Sequence, residues 1–139
     1  MPLQFYYQDV QFSLAGKNKI KAWVKQSVEA EGNLLGQVSL IFCTDAYLLE
    51  INERYLQHDF YTDIITFQYA ERPISGDLYI SLDRIKENAT KYHVPIMEEV
   101  LRIIIHGVLH LCGYKDKNTI SKNLMRQKED FYLAKWQEF

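Results

Sequence analysis

The chain has 139 residues, about the size of one ordinary domain, with 47% hydrophobic and 24% charged residues, which supplies a packed core and excludes a disordered chain. Lys and Arg number 16 against 18 Asp and Glu, giving a formal net charge of -2 that argues against a protein with a basic surface throughout. We therefore expect a single domain over residues 1–139, in which any nucleic-acid contact comes from a local patch.

The first half of the chain is predicted to alternate strands with amphipathic helices. Aromatic and β-branched residues in partial alternation predict a strand at residues 5–12, and an apolar run predicts a buried strand at 38–43. Between them, residues 17–31 carry apolar side chains at helical spacing and end at a glycine. Thr44 or Asp45 is predicted to cap a second helix. The apolar stripe of that helix consists of Leu48, Leu49, Ile51, Tyr55 and Leu56.

The second half is predicted to form a hairpin followed by helices. A polar loop at residues 57–63 precedes two strands, at 64–69 and 78–82, joined by a turn that contains Pro73 and Gly76. Three helices follow, at residues 83–92, 96–111 and 118–136. The middle one is apolar on nearly all sides, and the last carries Leu124, Phe131 and Ala134 among many charges. The prediction is an α+β fold, with a small mixed sheet packed against a buried central helix and several further helices.

The C-terminal end of the predicted central helix contains a candidate metal site. His106 and His110 are four residues apart, so they project from one helix face and can share one ion. Gly113 can end the helix and turn the chain so that Asp116 lies beside the pair. These offsets match the H-E-x-x-H-x-x-G-x-x-H pattern of metzincin peptidases, with aspartate as the third ligand. The sequence thus predicts one divalent ion, expected to be zinc, at His106, His110 and Asp116.

The neighbours of this motif restrict the chemistry. Gly107 occupies the position of the glutamate that acts as general base in H-E-x-x-H enzymes, which argues against a peptidase mechanism. A metal that polarises phosphate and acidifies its own water remains compatible. No general base can be named from the sequence, and Lys115 is a candidate for neutralising the charge that develops in the reaction. Cys112 is interpreted as a packed small residue rather than a further ligand.

Residues 106–114, His-Gly-x-Leu-His-Leu-x-Gly-Tyr, resemble the signature of the bacterial YbeY family, metal-dependent endoribonucleases that act as ribosomal RNA maturation factors. Residues 51–55, 59–67 and 76–81 resemble other blocks of that family in the same order. The resemblance implies a single-strand-specific endoribonuclease in 16S rRNA 3′-end maturation and ribosome quality control, working by metal-assisted phosphodiester hydrolysis. It also implies RNA, the small ribosomal subunit and its assembly factors as partners.

Two positions depart from the family pattern. Asp116 stands where the family usually has histidine; a carboxylate still binds zinc, but it lowers the positive charge of the site and should make the bound water less acidic. Leu56 follows Tyr55 where the family usually carries an arginine. His58 and Lys115 are candidate replacements for that cation on chemical type alone.

Other functions and a basic cluster are left open by the sequence. The alternatives are a non-enzymatic ribosome-assembly factor with a structural metal, a metal-dependent hydrolase of a non-nucleic substrate, and a non-haem iron oxygenase. The cluster is either a solvated helix face or a phosphate-binding patch, and in the latter case RNA cleavage should be slow and steeply salt-sensitive. It comprises Lys115, Lys117, Lys122, Arg126 and Lys128.

The expected location is the cytoplasm. Two cysteines, Cys43 and Cys112, cannot build a disulfide framework, and the first residues lack the basic stretch and apolar run of a signal peptide. No apolar stretch approaches the ~20 residues of a membrane helix. We expect a reduced cytoplasmic protein without membrane contact, of unspecified oligomeric state.

Overall fold

A computed structural model describes residues 3–58 and 62–139. The predicted loop at 57–63 and the family-like block at 59–67 each lie partly outside this range. The described residues form four strands and five helices, which confirms the predicted α+β class. In chain order they are β1 (Leu3–Tyr7), α1 (Lys17–Ala30), β2 (Leu35–Cys43), α2 (Asp45–Leu56), β3 (Ile64–Glu71), β4 (Ile74–Ser81), α3 (Leu82–Lys91), α4 (Ile96–Leu111) and α5 (Thr119–Trp136).

The four strands form one mixed sheet in the order β1-β2-β4-β3. β1 and β4 both pair in parallel with β2, whereas β3 pairs antiparallel with β4 as the predicted hairpin. The hairpin turn lies at Arg72 and Pro73, and Gly76 belongs to β4 rather than to the turn. A side chain at Gly76 would collide with the backbone oxygen of Phe67 on β3, so only glycine fits there.

Two apolar cores lie on opposite faces of the sheet, because successive residues of a strand point to opposite sides. On β3, Ile64 packs against the larger core and Ile65 belongs to the smaller one. The larger core includes the buried side of α4, and the smaller one contains Leu48 and Ile51 of α2. A Cβ at Gly107 would lie 2.7 Å from the Ile64 side chain, so glycine lets α4 approach the sheet closely. The face of α4 that contains Gly107 therefore packs on the sheet, and the other faces of this helix are left for contacts elsewhere.

Three sequence-based expectations about packing need correction. β1 ends at Tyr7 rather than at residue 12, because Asp9 adopts a φ of 57°, which a strand does not allow. Tyr55 and Leu56 are exposed, so the buried face of α2 consists of Leu48, Ile51 and Asn52. α5 exposes the apolar residues Leu124, Phe131 and Ala134, and it buries Met125, Glu129 and Tyr132.

Among the described residues, no helix is both long and apolar enough to cross a bilayer.

Candidate metal centre

His106 and His110 lie one turn apart at the C-terminal end of α4. Gly113 follows with a φ of 107°, a left-handed conformation that suits glycine. The backbone amide of Tyr114 donates a 3.0 Å hydrogen bond to the carbonyl of Leu109, which closes the turn. The chain therefore doubles back, and Asp116 lies beside both imidazoles as the spacing predicts.

Three side-chain atoms converge at this point. The Nε2 atoms of His106 and His110 are 3.1 Å apart, and the Asp116 Oδ2 lies 3.4 Å from the first and 3.5 Å from the second. A tetrahedral ion with zinc-like bond lengths separates its ligand atoms by about 3.4 Å, whereas octahedral magnesium separates neighbouring ligands by about 2.9 Å. The triangle therefore fits one face of a tetrahedral zinc site, with the fourth position left for water or substrate.

The hydrogen bonds of the opposite ring nitrogens leave both Nε2 atoms as candidate ligands for a cation. His106 Nδ1 lies 2.6 Å from the Glu129 carboxylate, and His110 Nδ1 lies 2.9 Å from the backbone oxygen of Tyr114. Both partners only accept hydrogen bonds, so each Nδ1 carries the proton and donates it. The two Nε2 atoms then present lone pairs to each other and to the carboxylate of Asp116. A metal ion fits this donor set.

Glu129 is the carboxylate that orients His106. It is 5% exposed, and its other oxygen accepts a 2.9 Å hydrogen bond from Arg102. Burial alone would raise the pKa of Glu129, but hydrogen bonds from His106 and Arg102 hold it below its usual range. Burial likewise lowers the pKa of His106, yet the hydrogen bond to Glu129 and the charges of Glu129, Asp63 and Asp116 outweigh burial, and the pKa is raised. Burial and the charge of His106 lower the pKa of His110. A metal and a proton therefore compete for His106.

A second, partly buried carboxylate supports His110 indirectly. Glu31, just after α1, accepts hydrogen bonds from the Tyr114 hydroxyl at 2.6 Å, from Lys128 at 3.2 Å and from the Tyr132 hydroxyl. Burial opposes ionisation, but these donors hold the pKa of Glu31 below its usual range. Tyr114 is thereby fixed at its side chain, and its carbonyl is the acceptor that orients His110.

Two cavities meet at the triad, since Asp63, His106 and Asp116 line both. The α5-side cavity has a volume of about 430 Å³, and its walls come mainly from α4 and α5 with Asn88 and Tyr92. The α2-side cavity, about 380 Å³, is lined by Asn52, Leu56, His58 and residues 62–66. Burial raises the pKa of Asp63, and the charge of Asp116 adds to this effect. A raised pKa makes the Asp63 carboxyl group a candidate for proton transfer.

The structure brings together the three predicted ligands but not the other candidates. Lys115 is exposed and lines neither cavity. Leu56 and His58 both line the α2-side cavity, so His58 stays a candidate for the missing cation. Cys112 packs against the larger core, and burial raises the pKa of its thiol to about 11, as suits a packed residue.

Sequence reasoning missed three polar residues at the site. Glu129 lies within a run of charges on α5, and Arg102 is the one charged residue in an apolar stretch of α4. Asp63 stands at the end of a polar segment. Only the family-like block at 59–67 contained a signal for any of them, and it concerned Asp63. The contacts of Glu129 and Arg102 depend on how α5 packs on α4.

We expect Glu129→Gln to weaken zinc binding about 10–100-fold, because an amide lacks the charge that holds the His106 Nδ1 proton. It should also move the pH midpoint of zinc binding downward, since the largest cause that raises the pKa of His106 is removed. Competition with a chromogenic chelator at several pH values measures both effects. Asp130→Asn is the matched control, because Asp130 accepts from Arg102 at 2.8 Å and has no contact with His106 among the described interactions. Equal losses in both variants would assign the effect to the Arg102 ion pairs.

The chain is similar to a family of known proteins along most of its length. The family model described as Endoribonuclease YbeY matches residues 5–137. The chain is 46% identical over 135 residues to the Endoribonuclease YbeY of Parabacteroides distasonis, covering 96% of this chain and 95% of that protein. It is 43% identical over 132 residues to the protein of that name from Cytophaga hutchinsonii, covering 94% and 92%.

A solved structure shares the architecture. The solution structure of TM1509 from Thermotoga maritima superposes with a TM-score of 0.65 at 25% sequence identity. The match covers 98% of this chain and 92% of that one. The likeness therefore extends across the sheet and the helices that build the site.

Proposed function

The chain belongs to the Endoribonuclease YbeY family and is an endoribonuclease, and we propose that it cleaves single-stranded RNA in 16S rRNA 3′-end maturation and ribosome quality control. The observation that supports this proposal best is the triangle of ligand atoms 3.1, 3.4 and 3.5 Å apart, opening onto two cavities. We propose that residues 1–139 act as one domain, in the cytoplasm, together with the small ribosomal subunit and its assembly factors.

In this proposal His106, His110 and Asp116 hold one divalent ion, and zinc fits the donor set best. Such an ion supplies a Lewis acid for a phosphodiester oxygen and lowers the pKa of water bound to it. Two imidazoles with one carboxylate favour a transition metal over magnesium, which prefers oxygen ligands only. Glu129 and the Tyr114 carbonyl keep both imidazoles in the ligand orientation, so little reorganisation accompanies the reaction.

The remaining chemistry falls to polar residues around the triad. Asp63 is placed to exchange a proton with the reacting water or the leaving oxygen, because it lines both cavities beside His106. Lys115 is the sequence-based candidate for neutralising developing charge, and it would have to move its side chain toward the triad to do so. The position of the family arginine holds Leu56, and none of the described residues that line the α2-side cavity is an arginine.

The competing proposal is a non-enzymatic ribosome-assembly factor with a structural metal. The two departures from the family pattern, Leu56 and Asp116, favour it, since both reduce the positive charge at the site. The two proposals differ in whether the metal ligands are needed for RNA processing. A hydrolase of a non-nucleic substrate would use the same triad, and it would leave ribosomal RNA unchanged.

The deciding experiment maps 16S rRNA ends in cells that lack the protein and in cells that carry His106→Ala. We expect unprocessed 3′ ends to accumulate in both, because the variant loses a ligand of the triad. His93→Asn is the control: His93 is exposed with a φ of 57°, which asparagine tolerates, and it should restore mature ends. Mature ends after deletion would refute the RNA-processing role. Full rescue by His106→Ala would make the protein an assembly factor.

A further inference from the structure

The two cavities that meet at the triad differ in charge. Of the described residues that line the α2-side cavity, none is Lys or Arg, and Leu56, Ile64 and Ile65 contribute apolar surface. The α5-side cavity contains Arg102, Lys122 and Arg126. Among the described residues, a polyanion that crosses the triad therefore meets Lys and Arg on the α5 side only.

The cations of the α5 side are not equivalent. Arg102 donates to Glu129 at 2.9 Å and to Asp130 at 2.8 Å, so its charge is already balanced within the fold. Lys122 and Arg126 are exposed, and neither forms a salt bridge within residues 3–58 and 62–139. They are one turn apart on α5, a spacing that places side chains about 5–6 Å apart at Cβ. These two side chains are available to an incoming anion.

The same cavity also contains anionic groups, whose charge Lys122 and Arg126 oppose. Asp63, Glu99, Asp116 and Glu129 all line it. Burial raises the pKa of Glu99, and the charge of Arg126 acts against that rise, so Arg126 already influences the cavity electrostatically. Lys122 and Arg126 offset this negative charge and so favour the entry of a phosphodiester.

We propose that Lys122 and Arg126 bind the RNA phosphate adjacent to the scissile bond on the α5 side, and that the α2-side cavity receives the neighbouring nucleoside. This inference rests on the proposed function, because it assumes that the scissile phosphate lies at the triad. Leu56, Ile64, Asn52 and His58 offer the nucleoside apolar contact and polar groups without a fixed cation. The two cavities thereby orient the RNA strand, with phosphate recognition on α5 and sugar and base recognition beside α2.

The test is Lys122→Gln/Arg126→Gln in the zinc-loaded protein, with a fluorescein-labelled RNA of twelve uridines as the probe. Binding is measured by anisotropy between about 50 and 200 mM KCl, and cleavage is followed separately on gels. We expect affinity at the lower salt to fall about tenfold, and the slope of log K against log salt to decrease by about 1.4 for two lost phosphate contacts on a single strand. Zinc content should equal that of the wild type.

Lys17→Gln/Lys21→Gln is the matched control, because it removes the same charge from one face of α1, which lines neither cavity. It should leave affinity and slope unchanged, whereas Lys122→Arg should keep both near wild type. If the α5 variant binds and cleaves as the wild type does, or if the control loses as much affinity, the inference is wrong and the proposed function stands. If the wild type neither binds nor cleaves the RNA, the proposed function fails, and the inference with it.

Discussion

His110→Ala is expected to remove both stoichiometric zinc binding and RNA cleavage. His110 Nε2 lies 3.1 Å from His106 Nε2 and 3.5 Å from the Asp116 carboxylate, so its loss leaves two ligands where a stable zinc site needs at least three. We expect zinc affinity to fall by more than the roughly 100-fold upper range for loss of an outer-shell partner, and cleavage to fall at least as far. Elemental analysis of purified protein and a gel assay of RNA cleavage measure the two effects.

The variant should still fold, which makes the result interpretable. Alanine is the best helix former, His110 lies within α4, and its side chain is 25% exposed. His93→Asn again serves as the control, since it removes a histidine away from the triad without straining the backbone at φ 57°. Full zinc stoichiometry in His110→Ala would remove this residue from the site. Loss of zinc with unchanged cleavage would make the metal structural.

The sequence was sufficient to predict the triad because its members are local. Helical periodicity aligns His106 with His110, and the left-handed turn at Gly113 returns Asp116 within ten residues of the first histidine. The uniform apolar character of α4 similarly identified the central helix. Both signals are written in short stretches of chain, where spacing alone determines geometry.

The rest of the site depends on contacts between distant parts of the chain. Glu129 is 23 residues from His106, and the Glu31–Tyr114 hydrogen bond joins residues 83 apart. The apolar pattern of α5 was also misleading: Leu124 and Phe131 are exposed, and a carboxylate is buried. That exception has a functional reason in the proposed mechanism, since Glu129 is buried where it can orient a metal ligand. A buried charge with two strong donors is a feature that local pattern rules do not predict.

α5 supplies polar residues to the site whose two histidines lie on α4. Its buried side supplies Glu129 to His106, and its exposed side presents Lys122 and Arg126 to the α5-side cavity. From the sequence alone, the charged residues of α5 could equally be a solvated helix face. In the structure, one of them orients a metal ligand and two others line the cavity. Whole-protein acidity is compatible with RNA cleavage if only these few cations meet the strand.

Asp116→His is expected to keep zinc binding and to shift the rising limb of the pH–rate profile downward by about one pH unit or more. Replacing a carboxylate with a neutral imidazole raises the net charge of the site by one, and this favours the deprotonated form of the water nucleophile. Activity that requires that form therefore appears at lower pH. The loop at 116 lies outside any helix or strand, so it can adjust to the longer side chain.

Two further substitutions at this position separate ligation from charge. Asp116→Ala removes the ligand and should lower zinc affinity as strongly as His110→Ala, whereas Asp116→Asn keeps the shape, removes the charge and supplies a poor ligand. If only charge at 116 mattered, Asp116→Asn and Asp116→His would shift the pH profile equally while both retained zinc. Unchanged zinc affinity in Asp116→Ala would show that the carboxylate, despite lying 3.4 Å from His106 Nε2, is not a ligand. If Asp116→His retains zinc while Asp116→Ala and Asp116→Asn lose it, the site accepts either aspartate or histidine as its third ligand. Aspartate at this position then sets the pH at which the enzyme works.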